Sequence, residues 1–113
     1  MSSKEDRELL EMAAKAVGIN LEWDGHPDKW QPMYYEGKTY NSFEPLTNNG
    51  GAFLLAVNLR IDLTFYNGFQ EIHAESSRSD GLNPSDEKFG DDVCAATRRA
   101  IVRAAAEIGK SMP

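Results

Sequence analysis

The sequence predicts an α+β domain: three helices and a four-stranded, mainly antiparallel sheet in the order α-β-β-α-β-β-α. Three observations predict it. Apolar residues recur at helical spacing near both ends, and a short apolar segment with a capping Asn sits in the middle. Apolar and polar residues alternate in the stretches between. An Asn-Gly pair then separates two of the alternating runs, which is a strong short-range hairpin signal. At 113 residues the chain makes one domain, spanning 1–113, with one hydrophobic core.

The first helix is expected over Lys4–Val17. Ser3 suits its N-cap, and Asp6 three residues on approximates a capping box. Leu9, Leu10, Met12, Ala13, Ala16 and Val17 share one arc, with Lys4, Glu8, Glu11 and Lys15 opposite. Gly18 fits the left-handed position that ends such a helix. A half-buried strand follows over Ile19–Asp24, then turn chemistry at Asp24-Gly25-His26-Pro27-Asp28. A second strand is expected over Trp30–Glu36, at a sheet edge because Pro32 cannot donate to a ladder. Gly37–Pro45 reads as irregular.

The second helix is expected over Asn49–Leu59, capped by Asn48 or Asn49. Ala52, Phe53, Leu54, Leu55, Ala56, Val57 and Leu59 make it apolar nearly all round, so it needs cover on more than one side. That cover is either two layers of this chain or another subunit. Arg60–Tyr66 and Phe69–Glu75 then form a hairpin about a two-residue type I′ turn at Asn67-Gly68. This register sets Asp62 opposite His73, Thr64 opposite Glu71, and Leu63 opposite Ile72. Ser76–Gly90 reads as a loop rich in Ser, Asp, Gly and Asn. The last helix is expected over Val93–Ile108, capped by Asp91 or Asp92 and stopped by Gly109.

Composition narrows the function classes. A formal net charge of −6 disfavours direct nucleic-acid binding, which needs a concentrated positive field. No apolar run is long enough to span a bilayer, and the opening residues carry no apolar signal segment, so no membrane association is expected. With one cysteine, Cys94, the natural compartment is a reducing cytoplasm.

Three segments carry a resemblance. They are Arg7–Ala16, Pro45–Gly50 (Pro-Leu-Thr-Asn-Asn-Gly) and Ala95–Gly109. Together they resemble the phage ABA sandwich domain, a family of small proteins of tailed phages and prophages. Where that family shows Trp-Asn before Pro-Leu and acidic residues after Thr, this chain has Phe43-Glu44 and Asn48-Asn49. The resemblance implies a layered αβα sandwich and a phage or prophage origin, hence the cytoplasm of a bacterial host. It implies no activity.

Candidate contact residues are few. Arg98 falls inside the apolar arc of the last helix, so its guanidinium needs a partner; it makes a structural ion pair or an anion or partner contact. Arg99, Arg103 and Lys110 form a basic stripe, read as a solvated face with an Arg103–Glu107 pair. Asp62 and His73, as cross-strand neighbours, are either a surface pair or raw material for general base chemistry. Asp24, His26 and Asp28 are explained by turn formation, and no metal is expected. No cofactor is expected either. Trp30, Tyr34 and Tyr35 flank Pro32 and mark the best candidate contact surface.

The expected function is therefore a non-enzymatic accessory protein acting through a protein partner, either a second copy of itself or a host protein. A small-molecule or nucleotide binder, or a minor enzyme, would instead need Arg98, Asp62 and His73 to converge in a pocket. An acidic DNA mimic would need Asp80, Asp86, Glu87, Asp91 and Asp92 spaced like phosphates.

Overall fold

The computed structural model describes residues 4–25, 31–76 and 85–112. The chain is α+β. Its described elements are α1 (Lys4–Ala16), β1 (Glu22–Asp24), β2 (Gln31–Glu36), β3 (Thr39–Ser42), α2 (Asn49–Leu59), β4 (Ile61–Tyr66), β5 (Glu71–Ser76), β6 (Ser85–Lys88) and α3 (Val93–Ser111). Helices and strand groups follow the expected order, but each group holds three strands. The single four-stranded sheet expected at the centre of a sandwich is replaced by two three-stranded antiparallel sheets, β1-β2-β3 and β4-β5-β6.

The extra strands come from segments that read as loops. Gly37 adopts φ 64 at the first central position of a two-residue turn, which lets Glu36 pair with Thr39 and starts β3 within the stretch expected to be irregular. Pro32 is consequently in a central strand, not at an edge. Its carbonyl accepts from the Phe43 amide at 2.8 Å, just past the end of β3, so its missing N–H removes only the reciprocal bond at that end of the ladder. Ser85–Lys88, within the expected Ser76–Gly90 loop, pairs with β5 as β6.

The β4–β5 hairpin forms with a different turn. The loop is Asn67–Gln70, and the left-handed residue is Gln70 at φ 52, not the Asn-Gly pair. The Tyr66 and Asn67 carbonyls accept from the Phe69 and Gln70 amides. The Gln70 carbonyl in turn accepts from the Phe89 amide at 2.7 Å, and Glu71 pairs with Lys88. Pairing with β6 thus holds Gln70 at the strand boundary and shifts the register by two residues. A two-residue shift keeps every side chain on its expected face. It does change partners: Thr64 faces His73, Asp62 faces Glu75 and Leu63 faces Ala74.

Helix ends follow local chemistry. Gly18 at φ 75 closes α1, with the Ile19 amide bonded to the Ala14 carbonyl and the Gly18 amide to Lys15, a Schellman motif. The expected Ser3 cap lies outside the described residues. Asn48 caps α2, its side chain accepting from the Gly51 amide, and Asp92 caps α3 through the Ala95 amide.

Gly109 does not stop α3. The helix continues to Ser111, and Gly109 is buried where α3 meets α1. The core is built around α3, whose Ala100, Val102, Ala104, Ala105 and Ala106 are buried with Ala13 and Ala14 of α1. Ile72 and Ala74 of β5 and Leu55 and Leu59 of α2 complete it. Small residues on both helices let their backbones approach closely, which is why so alanine-rich a face packs well.

Candidate contact surface

The expectation that α2 is covered on more than one side is not met within this chain. Ala52, Leu55 and Leu59 are buried, while Phe53, Leu54 and Val57 are 66%, 61% and 48% exposed. Phe53 and Val57 are one turn apart, and Leu54 lies beside them, so the outer face of α2 is apolar and open to solvent. β4 and the turn after it add Phe65 and Phe69, also exposed.

Leu54 also lines a cleft of about 1000 Å³ between α2 and the first sheet. Gly50, Gly51, Leu55 and Asn58 of α2 form one wall, and Tyr34, Tyr35 and Glu36 of β2 contribute another. Glu22, Phe43 and Glu44 join the lining, as do Val17 to Asn20 at the end of α1. Tyr34 packs edge-on against Phe43 with centroids 6.4 Å apart, so its ring is fixed. Tyr35 stacks at 4.7 Å on Tyr40, whose hydroxyl donates to Asp24.

The expected site residues are thus partly united. Tyr34 and Tyr35 share the cleft. Trp30 lies outside the described residues, as do His26 and Asp28 of the Asp24–His26–Asp28 group. Arg98 does not line the cleft; its Nε donates to the Leu46 carbonyl at 2.8 Å and Nη1 to Asn49 Oδ1 at 2.7 Å. It is a tether between α3 and the entry to α2, joining two of the segments that carry the resemblance. Its partners are a carbonyl and a carboxamide instead of the carboxylate a structural ion pair would use.

Asp62 and His73 are not cross-strand partners. His73 Nδ1 meets Asp86 Oδ1 at 2.6 Å across β5–β6, and Nε2 meets Glu75 Oε2 at 3.3 Å. The hydrogen bond to Asp86 holds the imidazole above its ordinary pKa, outweighing the opposing effect of burial, with Glu75 adding to it. The Tyr66 ring lies edge-on, 6.3 Å away. The sequence reading missed Asp86 because it placed that residue in a loop.

Two members of the expected basic stripe are neutralised by other elements and the third within α3. Arg99 bonds Asp6 at 2.9 Å and lies near Glu5 and Glu87. Burial works against its charge, but Asp6 more than compensates and its pKa is raised. Arg103 pairs with Glu87 at 2.6 Å instead of Glu107, which pairs with Lys110. Asp86 is therefore engaged with His73 and Glu87 with Arg99 and Arg103, which breaks up the acidic run that DNA mimicry would present. Asp80 lies outside the described residues.

Compared with protein-family models, curated proteins and solved structures, the chain finds no match. Among the described residues no helix is long and apolar enough to cross a membrane, and no group of three His, Cys, Asp or Glu side chains is placed to hold a metal ion.

Proposed function

We propose that this protein is a non-enzymatic binding protein whose partner, a second copy of itself or a host protein, covers the outer face of α2. One observation carries the reading: Phe53, Leu54 and Val57 lie in solvent along a helix whose opposite side is core. Exposing three large apolar side chains side by side is unfavourable unless a partner removes them from water, at roughly 25 cal/mol per Å² of apolar area. The three-segment resemblance supports a phage or prophage origin and work in a bacterial cytoplasm.

The test compares the intact protein with Phe53→Asp/Val57→Asp. Light scattering reads self-association, and capture from bacterial lysate reads a host partner. The reading expects a larger species or a specific captured protein, lost in the double variant while its circular dichroism stays unchanged. A monomer that captures the same proteins with and without the substitutions would refute it.

A second reading rests on the cleft itself. A concavity of about 1000 Å³ containing Tyr34 and Tyr35 is large enough for a small molecule. Arg98, Asp62 and His73 do not line it, so such a ligand would be held by other groups.

A further inference from the structure

We infer that the cleft between α2 and the first sheet takes a basic, Arg- or Lys-bearing segment of the partner protein. This rests on the α2 face being a protein-binding surface and names the chemistry of what binds beside it. Among the described residues, the ionisable carboxyl groups in the lining are Glu22, Glu36 and Glu44, and no Lys, Arg or His lines it. None of the three is ion-paired to a described residue. Elsewhere Asp6, Glu71, Glu75, Asp86, Glu87 and Glu107 meet a cation or His73, while other acids without an ion pair to a described residue, such as Glu8 and Asp62, lie outside the cleft; what sets the cleft apart is three such carboxyl groups around one concavity. The cleft therefore holds negative charge without internal compensation, inside a concave wall that concentrates its field.

The aromatic groups suit the same occupant. A guanidinium or ammonium approaching Tyr34 or Tyr35 gains a cation–π contact as well as charge-assisted hydrogen bonds to carboxylates. Its aliphatic stem would lie along Leu54, the residue shared by the cleft and the open α2 face. A second copy of this chain is a poor source of such a segment. Its net charge is −6, so two copies repel one another overall. The occupant is thus a different, basic protein.

The probes are three fluorescein-labelled peptides of one length and Leu content, with Arg, Gln or Glu at the polar positions. Fluorescence anisotropy follows binding to the full chain, to Glu22→Gln/Glu36→Gln, to the charge-matched control Glu8→Gln/Asp91→Asn, and to Phe53→Asp/Val57→Asp. The Arg peptide is expected to bind saturably and more tightly than the Gln peptide, with the Glu peptide weakest. Glu22→Gln/Glu36→Gln should weaken it roughly fivefold to tenfold, the worth of two partly exposed ion pairs. The control should change it less than about twofold, since its charges lie away from the cleft.

Equal weakening by the control, or no saturable binding of the Arg peptide, overturns the inference. So does a Gln peptide that binds as tightly as the Arg peptide. If that Gln peptide loses binding in Phe53→Asp/Val57→Asp, the α2 surface still binds protein and only its preference for a basic segment fails. If no peptide responds to either double variant, both readings fail together.

Discussion

Gly109 lies against the backbone of Met12: a methyl group built on its α-carbon would run into the Met12 carbonyl, whose carbon would be 2.8 Å away. This contact sets how closely α1 and α3 approach, and it explains why a glycine persists inside a helix where alanine would otherwise be preferred.

Gly109→Ala should therefore destabilise the protein. Alanine gains about 1 kcal/mol of helix propensity, but the obstacle is main chain and cannot rotate away. Overpacking of this kind costs about 1–3 kcal/mol, and a backbone obstacle belongs at the upper end, so the net loss should be about 2 kcal/mol. Gly68→Ala is the control, because nothing lies within 4 Å of its added methyl and its φ is not positive. Urea unfolding of both variants checks the prediction: an unchanged midpoint for Gly109→Ala would refute the close approach.

His73 gives the fold a pH dependence of known sign. Its pKa is raised in the folded state, so the folded chain holds a proton more tightly than the unfolded chain, whose value is near 6.5. The stabilisation is fully present below about pH 6.5 and is lost as pH rises through the folded value, provided Asp86 and Glu75 remain ionised. His73→Gln should flatten the fall in melting temperature above pH 6.5. A ring titration by NMR at or below the ordinary histidine value would contradict the geometry.

How far these features could be read from residues alone depended on whether the signal was local. The Gly18 stop, a cap at Asn48 or Asn49, a cap at Asp91 or Asp92 and the two faces of β4–β5 followed from neighbouring residues; the stop and faces form as expected, and the caps fall to Asn48 and Asp92. The turn type at Asn67–Gln70 did not, because the Phe89 amide and β6 decide it from far along the chain. The same distance hid Asp86 from His73 and Leu46 from Arg98. Tyr34 and Tyr35 could be singled out together as candidates from their place beside Pro32, and both line the cleft, but the α2 wall facing them could not be foreseen. Its exposure became visible only when one side of the helix was seen to be core and the other to be bare.

Arg60 ends α2 in the left-handed region at φ 55, its amide bonded to the Ala56 and Val57 carbonyls. A residue with a β-carbon there costs about 1–2 kcal/mol. Glycine removes that strain but adds about 0.5–1 kcal/mol of unfolded-state entropy. Arg60 is exposed and starts no ion pair with a described residue, so Arg60→Gly should stabilise by about 0.5 kcal/mol. A higher urea midpoint with an unchanged slope is the expected result, and a lower midpoint would show that the arginine side chain stabilises the fold.

Arg98 stands between a structural role and a binding role, and its bonds decide what each substitution should do. Two hydrogen bonds from one guanidinium, to Leu46 and Asn49, hold the turn that leads into α2 against α3. Hydrogen bonds involving a charged donor contribute about 1.5–3 kcal/mol, and partial exposure lowers that here to about 1–2 kcal/mol. Arg98→Met keeps most of the aliphatic stem and removes both donors, so it should lose that amount. Arg98→Lys should recover only part of it, because one ammonium group does not reproduce the planar fork. Amide hydrogen exchange locates the effect: protection should fall first at Thr47, Asn48 and Ala52, whose amides bond within the turn and the first turn of α2. If exchange there stays unchanged while partner capture is lost, Arg98 would be a contact residue and not the tether its hydrogen bonds describe.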